Sequence, residues 1–180
     1  MAVMTSPNRL LAMEQLLSKL KETFPQLRFS PGSTFLWSPE TNEVFYDERK
    51  TVNNKRIWSL LHETGHALLG HKSYQADIEL LKLEVAAWQK AQEIASDFGI
   101  KIDEEHIQDC LDTYRDWLHA RSICPTCTTR CLQQSDMHHY RCHNCHTTWK
   151  VTPSRFARAY RSVKQTPQTS ALLHANELSL

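Results

Sequence analysis

A chain of 180 residues, 41% hydrophobic and 23% charged, has the composition of a folded protein with a real core. It suits one ordinary domain, or a core of about 120 residues with a small appendage, and no apolar run approaches the ~18 residues of a membrane-spanning helix. The formal net charge of +1 is unevenly placed: residues 1–120 hold 13 Lys and Arg against 18 Asp and Glu, whereas residues 121–165 hold eight cations against Asp136 alone. Such asymmetry points to a polyanionic partner for the C-terminal part only. Arg9, Glu14, Lys19 and Lys21 interrupt the apolar positions near the N-terminus, so no secretory leader is expected and a cytoplasmic location follows. The six cysteines then read as metal ligands or free thiols rather than disulfides.

In chain order, Ser6-Pro7 opens an amphipathic helix through Leu10, Met13, Leu16, Leu17 and Leu20 that stops near Phe24-Pro25. The period then changes. Leu27-Arg28-Phe29, Thr34-Phe35-Leu36-Trp37 and Glu43-Val44-Phe45-Tyr46 are β-prone runs separated by turn residues, which predicts a small antiparallel sheet. A helix follows to about Gly70, a second runs from about Ala76 to Phe98, and a third opens at Asp103-Glu104-Glu105 and continues through Leu118. Beyond Arg121 come a Cys/His-rich module to about Val151, a basic helix from Pro153 to Lys164, and a polar tail.

The first of these later helices carries His62-Glu63-Thr64-Gly65-His66. Positions i and i+4 share a helix face, so His62 and His66 can turn imidazole nitrogens to one metal ion, with Glu63 placed to act on a water as general base. Ile57, Leu60, Leu61 and Leu68 mark a core-facing stripe around the motif. Gly65 costs about 1 kcal/mol of helix stability relative to Ala, and the missing side chain leaves room for close packing beside the metal. The plain alternative is a buried helix whose histidines hydrogen-bond within the core.

A catalytic zinc takes three protein ligands and keeps a fourth position open. On the next helix Asp77 reads as a cap, while Glu79, Glu93 and Asp97 each have a lysine at i±3 or i+4 and read as surface charges. Glu84 is flanked at i±3 and i±4 by Leu80, Leu81, Ala87 and Trp88, and a carboxylate on an apolar stripe is costly unless paired or metal-bound. Glu84 is therefore the best candidate, although a stripe shifted enough to expose it stays open. His71 lies five residues past His66 and misses the metzincin spacing by one. His71 and Tyr74 are placed on the substrate side by proximity alone, with His71 also suited to supporting a ligand.

The run His62-Glu63-Thr64-Gly65-His66-Ala67-Leu68-Leu69-Gly70-His71, followed by Glu84-Val85-Ala86-Ala87-Trp88, resembles ImmA/IrrE-type metallopeptidases, which are compact gluzincins. The resemblance covers about residues 5–100. It implies His62, His66 and Glu84 as zinc ligands, Glu63 as base, an α+β core and a protein or peptide substrate. The third helix and the cysteine module depart from that family. Spartan/SprT proteases do append a zinc ribbon, but they use a third His that this chain does not offer.

Cys124-Pro125-Thr126-Cys127 and Cys142-His143-Asn144-Cys145 are two C-x-x-C pairs with 14 residues between them, the spacing of a four-thiolate structural zinc site. Residues 129–142 should form a hairpin and residues 147–151 a further strand. Cys131 could replace Cys127, Cys110 is left over, and His138, His139, His143 and His146 read as surface residues. Arg155, Arg158, Arg161 and Lys164 drift around one side of the expected basic helix, as a phosphate-backbone contact would require. A solvated helix balancing the acidic body is the equal alternative.

Together these readings divide the chain into a metallopeptidase domain over 1–120, a zinc ribbon over 121–152 and a basic helix and tail over 153–180. They call for two Zn²⁺ per chain. The competing function is a nucleic-acid-associated adaptor with little or no catalysis.

Overall fold

The computed structural model describes residues 6–48, 53–151 and 161–164; for 6–12 and 161–164 the backbone alone is described. The fold is α+β. In order come α1 (Ser6–Thr23), β1 (Arg28–Gly32), β2 (Leu36–Ser38), β3 (Glu43–Asp47), α2 (Asn54–Leu68), α3 (Asp77–Asp97), α4 (Glu104–Ser122), β4 (His139–Arg141), β5 (Thr148–Val151) and β6 (Arg161–Lys164). The chain divides into two compact units, residues 1–115 and 116–180, with the division falling inside α4. No described helix is long and apolar enough to cross a membrane.

In the first unit, Met13, Leu16, Leu17 and Leu20 of α1 join Leu27, Phe29 and Val44 of the sheet region and the apolar stripes of α2 and α3 in one core. The sheet has the order β1-β3-β2 and is mixed: β1 runs parallel to β3, and β2 runs antiparallel to it. This corrects the expected antiparallel sheet. Residue type marks a strand but not its partner, and the short link after Gly32 carries the chain past the position of β3 before β2 begins. β2 is consequently an edge strand.

Side-chain capping fixes the start of α2, where Asn53 Oδ1 accepts the Arg56 N–H at 3.0 Å. At its other end the Gly70 N–H bonds to Ala67 O and the His71 N–H to Ala67's neighbour His66 O, both at 3.1 Å. These are the paired bonds of a Schellman motif, and Gly70 supplies the left-handed residue it needs at φ +64°. α3 starts differently from expectation. Asp77 is buried within its first turn, and the Glu79 carboxylate accepts the N–H groups of Gln75 (2.8 Å) and Ala76 (3.2 Å). Glu79 is thus an N-terminal capping group in addition to having Lys82 nearby.

The second unit is built on a three-stranded antiparallel sheet of order β4-β5-β6. Tyr140 stacks on Trp149 across the β4–β5 pair, with ring centroids 5.6 Å apart, and Cys124, Cys131, Cys142 and Val151 complete its core. Gln133 bridges Tyr140 in the hairpin ahead of β4. β6 corrects the basic helix: Arg161 and Lys164 sit on a strand, opposite Val151 and Thr148, so the third strand extends the module past residue 152. Arg155 and Arg158 lie outside the described residues. Phe156, Tyr160 and Val163 recur at helical spacing in the sequence, so periodicity favours a helix there, and pairing with β5 overrides it at residues 161–164.

Candidate metal centres

α2 and α3 approach each other closely at Gly65. A Cβ on Gly65 would lie 2.5 Å from the carbonyl oxygen of Ala87, nearer than any methyl group can sit. The missing side chain lets α3 come near enough for Glu84, three residues before Ala87, to reach the histidines of α2. His62 Nε2 is 3.1 Å from Glu84 Oε2 and 3.1 Å from His66 Nε2, and His66 Nε2 is 3.6 Å from Glu84 Oε1. Ligands held at about 2.05 Å around a tetrahedral ion stand about 3.3 Å from one another. The two nitrogens and the carboxylate can therefore hold one metal ion.

The chemistry of this group fits a cation. Burial pushes the Glu84 carboxyl upward, but hydrogen bonds from His62 and His66, and their charges, outweigh it and hold the group below the ordinary carboxylate range. His62 lies against Trp88, ring centroids 4.3 Å apart, and its buried Nδ1 has no hydrogen-bond partner among the described residues. His66 Nδ1 is 2.8 Å from His71 Nδ1, so one nitrogen donates to the other. Burial, then the neighbouring His66, pushes the His71 pKa down, which suits it to the neutral acceptor role. The Schellman turn at Gly70 is what folds His71 back to this position.

Glu63 stands apart from the three. Its Oε2 accepts the backbone N–H of Trp37 on β2 at 2.8 Å, and the Trp37 indole Nε1–H donates to His71 O at 2.6 Å. Tyr74 is exposed, and no described hydrogen bond ties it to the group. A cavity of about 450 Å³ opens near the starts of α2 and α4, lined by Asn53, Lys55, Trp58, Asp103, His106 and Asp109 among others. None of the His62–Glu84 group lines it.

The second centre gathers Cys124, Cys127, Cys142 and Cys145, four free thiols whose sulfurs can hold one ion. Cys124 Sγ is 3.5 Å from Cys145 Sγ, and Cys127 Sγ is 3.4 Å from Cys142 Sγ. These separations are far beyond the ~2.05 Å of a disulfide and a little inside the ~3.8 Å edge of a tetrahedral zinc-thiolate site. Two turns of the same construction present them. Cys124 N–H bonds to Thr129 O and Thr128 N–H to Cys124 O; Cys142 N–H bonds to Thr147 O and His146 N–H to Cys142 O. Thr128 (φ 59°) and His146 (φ 60°) are left-handed at equivalent positions. The Thr126 N–H points at Cys124 Sγ and the Asn144 N–H at Cys142 Sγ, each at 3.4 Å.

Thr129 Oγ1 and Thr147 Oγ1 lie 3.3 and 3.2 Å from Cys127 Sγ and Cys145 Sγ. The underlying sequence is C-x-x-C-x-T, present twice. The thiols are electrostatically uneven: hydrogen bonding to Thr129 pulls Cys127 down to about 5, whereas burial pushes Cys124 up to about 11. A bound metal takes all four as thiolates and removes that difference.

Cys131 is buried beside this group, its Sγ 3.3 Å from Thr129 O, and its carboxy-terminal neighbour Leu132 is exposed. Cys110 belongs to the first unit, 3.7 Å from His106 Nε2. Of the four histidines read as surface residues, His138, His143 and His146 are exposed, and His139 is half-buried with its Nδ1 2.7 Å from Asp136 Oδ2. No family model, curated protein or solved structure matches the chain.

Proposed function

We propose that the chain is a zinc-dependent metallopeptidase of compact gluzincin type, with a structural zinc ribbon following it. The observation that carries this reading is the convergence of His62 Nε2, His66 Nε2 and the Glu84 carboxylate within 3.1–3.6 Å, with Glu63 adjacent in sequence yet held outside the trio. A zinc ion there would lower the pKa of a water and polarise a peptide carbonyl. Glu63 takes the proton from the attacking water and passes it to the leaving amine, the two proton transfers that amide hydrolysis requires. His71, by accepting the Nδ1 proton of His66, keeps that ring in the tautomer whose Nε2 lone pair faces the metal. An extended substrate adds to an edge of the small β1-β3-β2 sheet.

Glu63→Gln tests the assignment. The variant keeps its fold and metals but loses hydrolysis, because an amide does not accept the water's proton. Full activity in that variant, on a substrate the parent chain cleaves, contradicts the mechanism.

The four-cysteine centre supports a structural role, since its thiolates fill a tetrahedral ion and leave no open position. We assign this unit to docking, with nucleic-acid phosphates as the proposed partner of its cations. Weak binding that weakens steeply with salt supports this assignment, and salt-independent binding turns it toward a protein.

A further inference from the structure

Trp37 is tied to the site from both ends of the motif, and this inference rests on the metallopeptidase reading given above. Its strand, β2, is three residues long and pairs with β3 on one side only. The Trp37 N–H is spent on Glu63 Oε2 at 2.8 Å, so it faces away from the ladder. Its indole N–H reaches His71 O at 2.6 Å. His71 in turn is bound twice to His66, through its own N–H to His66 O at 3.1 Å and through the imidazole pair at 2.8 Å. One half-buried residue therefore runs one line to the proposed base and a second line, through His71, to a proposed ligand.

We propose that Trp37 is a positioning residue of the hydrolytic site, its backbone N–H fixing the Glu63 carboxylate and its indole N–H fixing His71 against His66. The first contact matters because a glutamate beside a metal trio can rotate in and become a fourth ligand. Binding Oε2 to a strand N–H holds the carboxylate off the metal and leaves Oε1 to accept a proton. The second matters because two facing Nδ1 atoms share one proton. With His66 bound to metal through Nε2, that proton belongs to His66, and His71 has to be held as the acceptor. A side chain serving only to fill the core would need neither donor.

Two substitutions separate the lines. Trp37→Phe keeps an aromatic ring and the backbone N–H but removes the indole donor. Trp37→Pro removes the backbone N–H as well, at an edge-strand position where no ladder bond is lost. The full-length chain is loaded with Zn²⁺, and the N/O-bound ion is titrated with a chromophoric chelator. The Co²⁺-loaded form is followed by visible absorption and titrated with acetohydroxamate, whose hydroxyl proton a positioned carboxylate accepts.

Trp37→Phe is expected to weaken the N/O-bound metal about tenfold and change the Co²⁺ spectrum, while the melting temperature of the metal-free chain stays close to the parent's. Trp37→Pro is expected to lose about a further tenfold in acetohydroxamate affinity. Unchanged metal affinity and spectrum in Trp37→Phe, or a loss matched wholly by a fall in metal-free stability, overturns the positioning role and leaves the metallopeptidase reading standing. A parent chain that binds only the sulfur-ligated metal overturns both.

Discussion

The two metal-competent centres of this chain are encoded in opposite ways. The four cysteines are set by short-range turns: each C-x-x-C pair lies within a six-residue hydrogen-bonded loop, and the same loop is written twice. The His62–His66–Glu84 group is set by packing, because its third member arrives on another helix and only the bare Gly65 permits the approach. A local centre needs its metal to hold its surroundings together. A packed centre inherits its geometry from a core that exists without metal. The difference should appear in how each responds to damage.

The largest effect is expected from removing the sulfur-bound metal. Among the described residues the second unit's core holds Tyr140, Trp149, Val151 and the cysteines themselves, whereas structural zinc in small modules is worth about 10–16 kcal/mol. Chelation at neutral pH, or Cys142→Ser, should abolish hydrogen-exchange protection across residues 123–151 while α2 and α3 keep theirs. Equal loss of protection in both units would erase the distinction drawn above.

Next comes Gly65→Ala. The added methyl meets the Ala87 carbonyl at 2.5 Å, so α2 and α3 must separate at a cost of about 1–3 kcal/mol. The N/O metal should be lost with it and the sulfur-bound metal retained. Gly70→Ala is the companion: its Cβ meets nothing within 4 Å, so only the left-handed backbone, about 1 kcal/mol, stands against it. Calorimetry with metal analysis on both variants checks the pair.

A carboxylate exchange is subtler for stability and sharper for the site. Glu84→Gln should empty the N/O centre, whereas Glu79→Gln should fray the start of α3 and keep the metal. Loss of that metal in Glu79→Gln alone would reassign the ligand.

How much of this was legible in the sequence follows the same division. The motif helix, its glycine stop and the cysteine pairs are local patterns, and they were readable as such. Glu84 was found indirectly, through apolar neighbours that offer a carboxylate no cation. Glu79 was read as a surface charge because its partners are backbone N–H groups, which leave no mark in residue type. The parallel pairing of β1 with β3 and the strand at Arg161–Lys164 were missed because pairing is a tertiary choice. Trp37 carries no motif, and its two donors acquire meaning only once β2 lies beside α2. The doubled C-x-x-C-x-T stands in the sequence, but its threonines matter through contacts to sulfur that residue type does not announce.

That doubling gives the smallest expected effect. Thr129→Val and Thr147→Val each remove one hydroxyl next to a cysteine sulfur and should cost about 0.5–1.5 kcal/mol apiece. Equal shifts in metal release from the two variants would support the equivalence of the turns; a large inequality would break it.

The central claim is that His62, His66 and Glu84 hold a metal ion and Glu63 does not. Zinc content per chain, measured with zinc-edge X-ray absorption on the parent, Glu84→Gln and Glu63→Gln, tests it most directly. The account predicts two zinc ions in the parent, one with N/O and one with sulfur neighbours, a single sulfur-bound zinc in Glu84→Gln, and both retained in Glu63→Gln. One zinc in the parent with sulfur neighbours alone would contradict it.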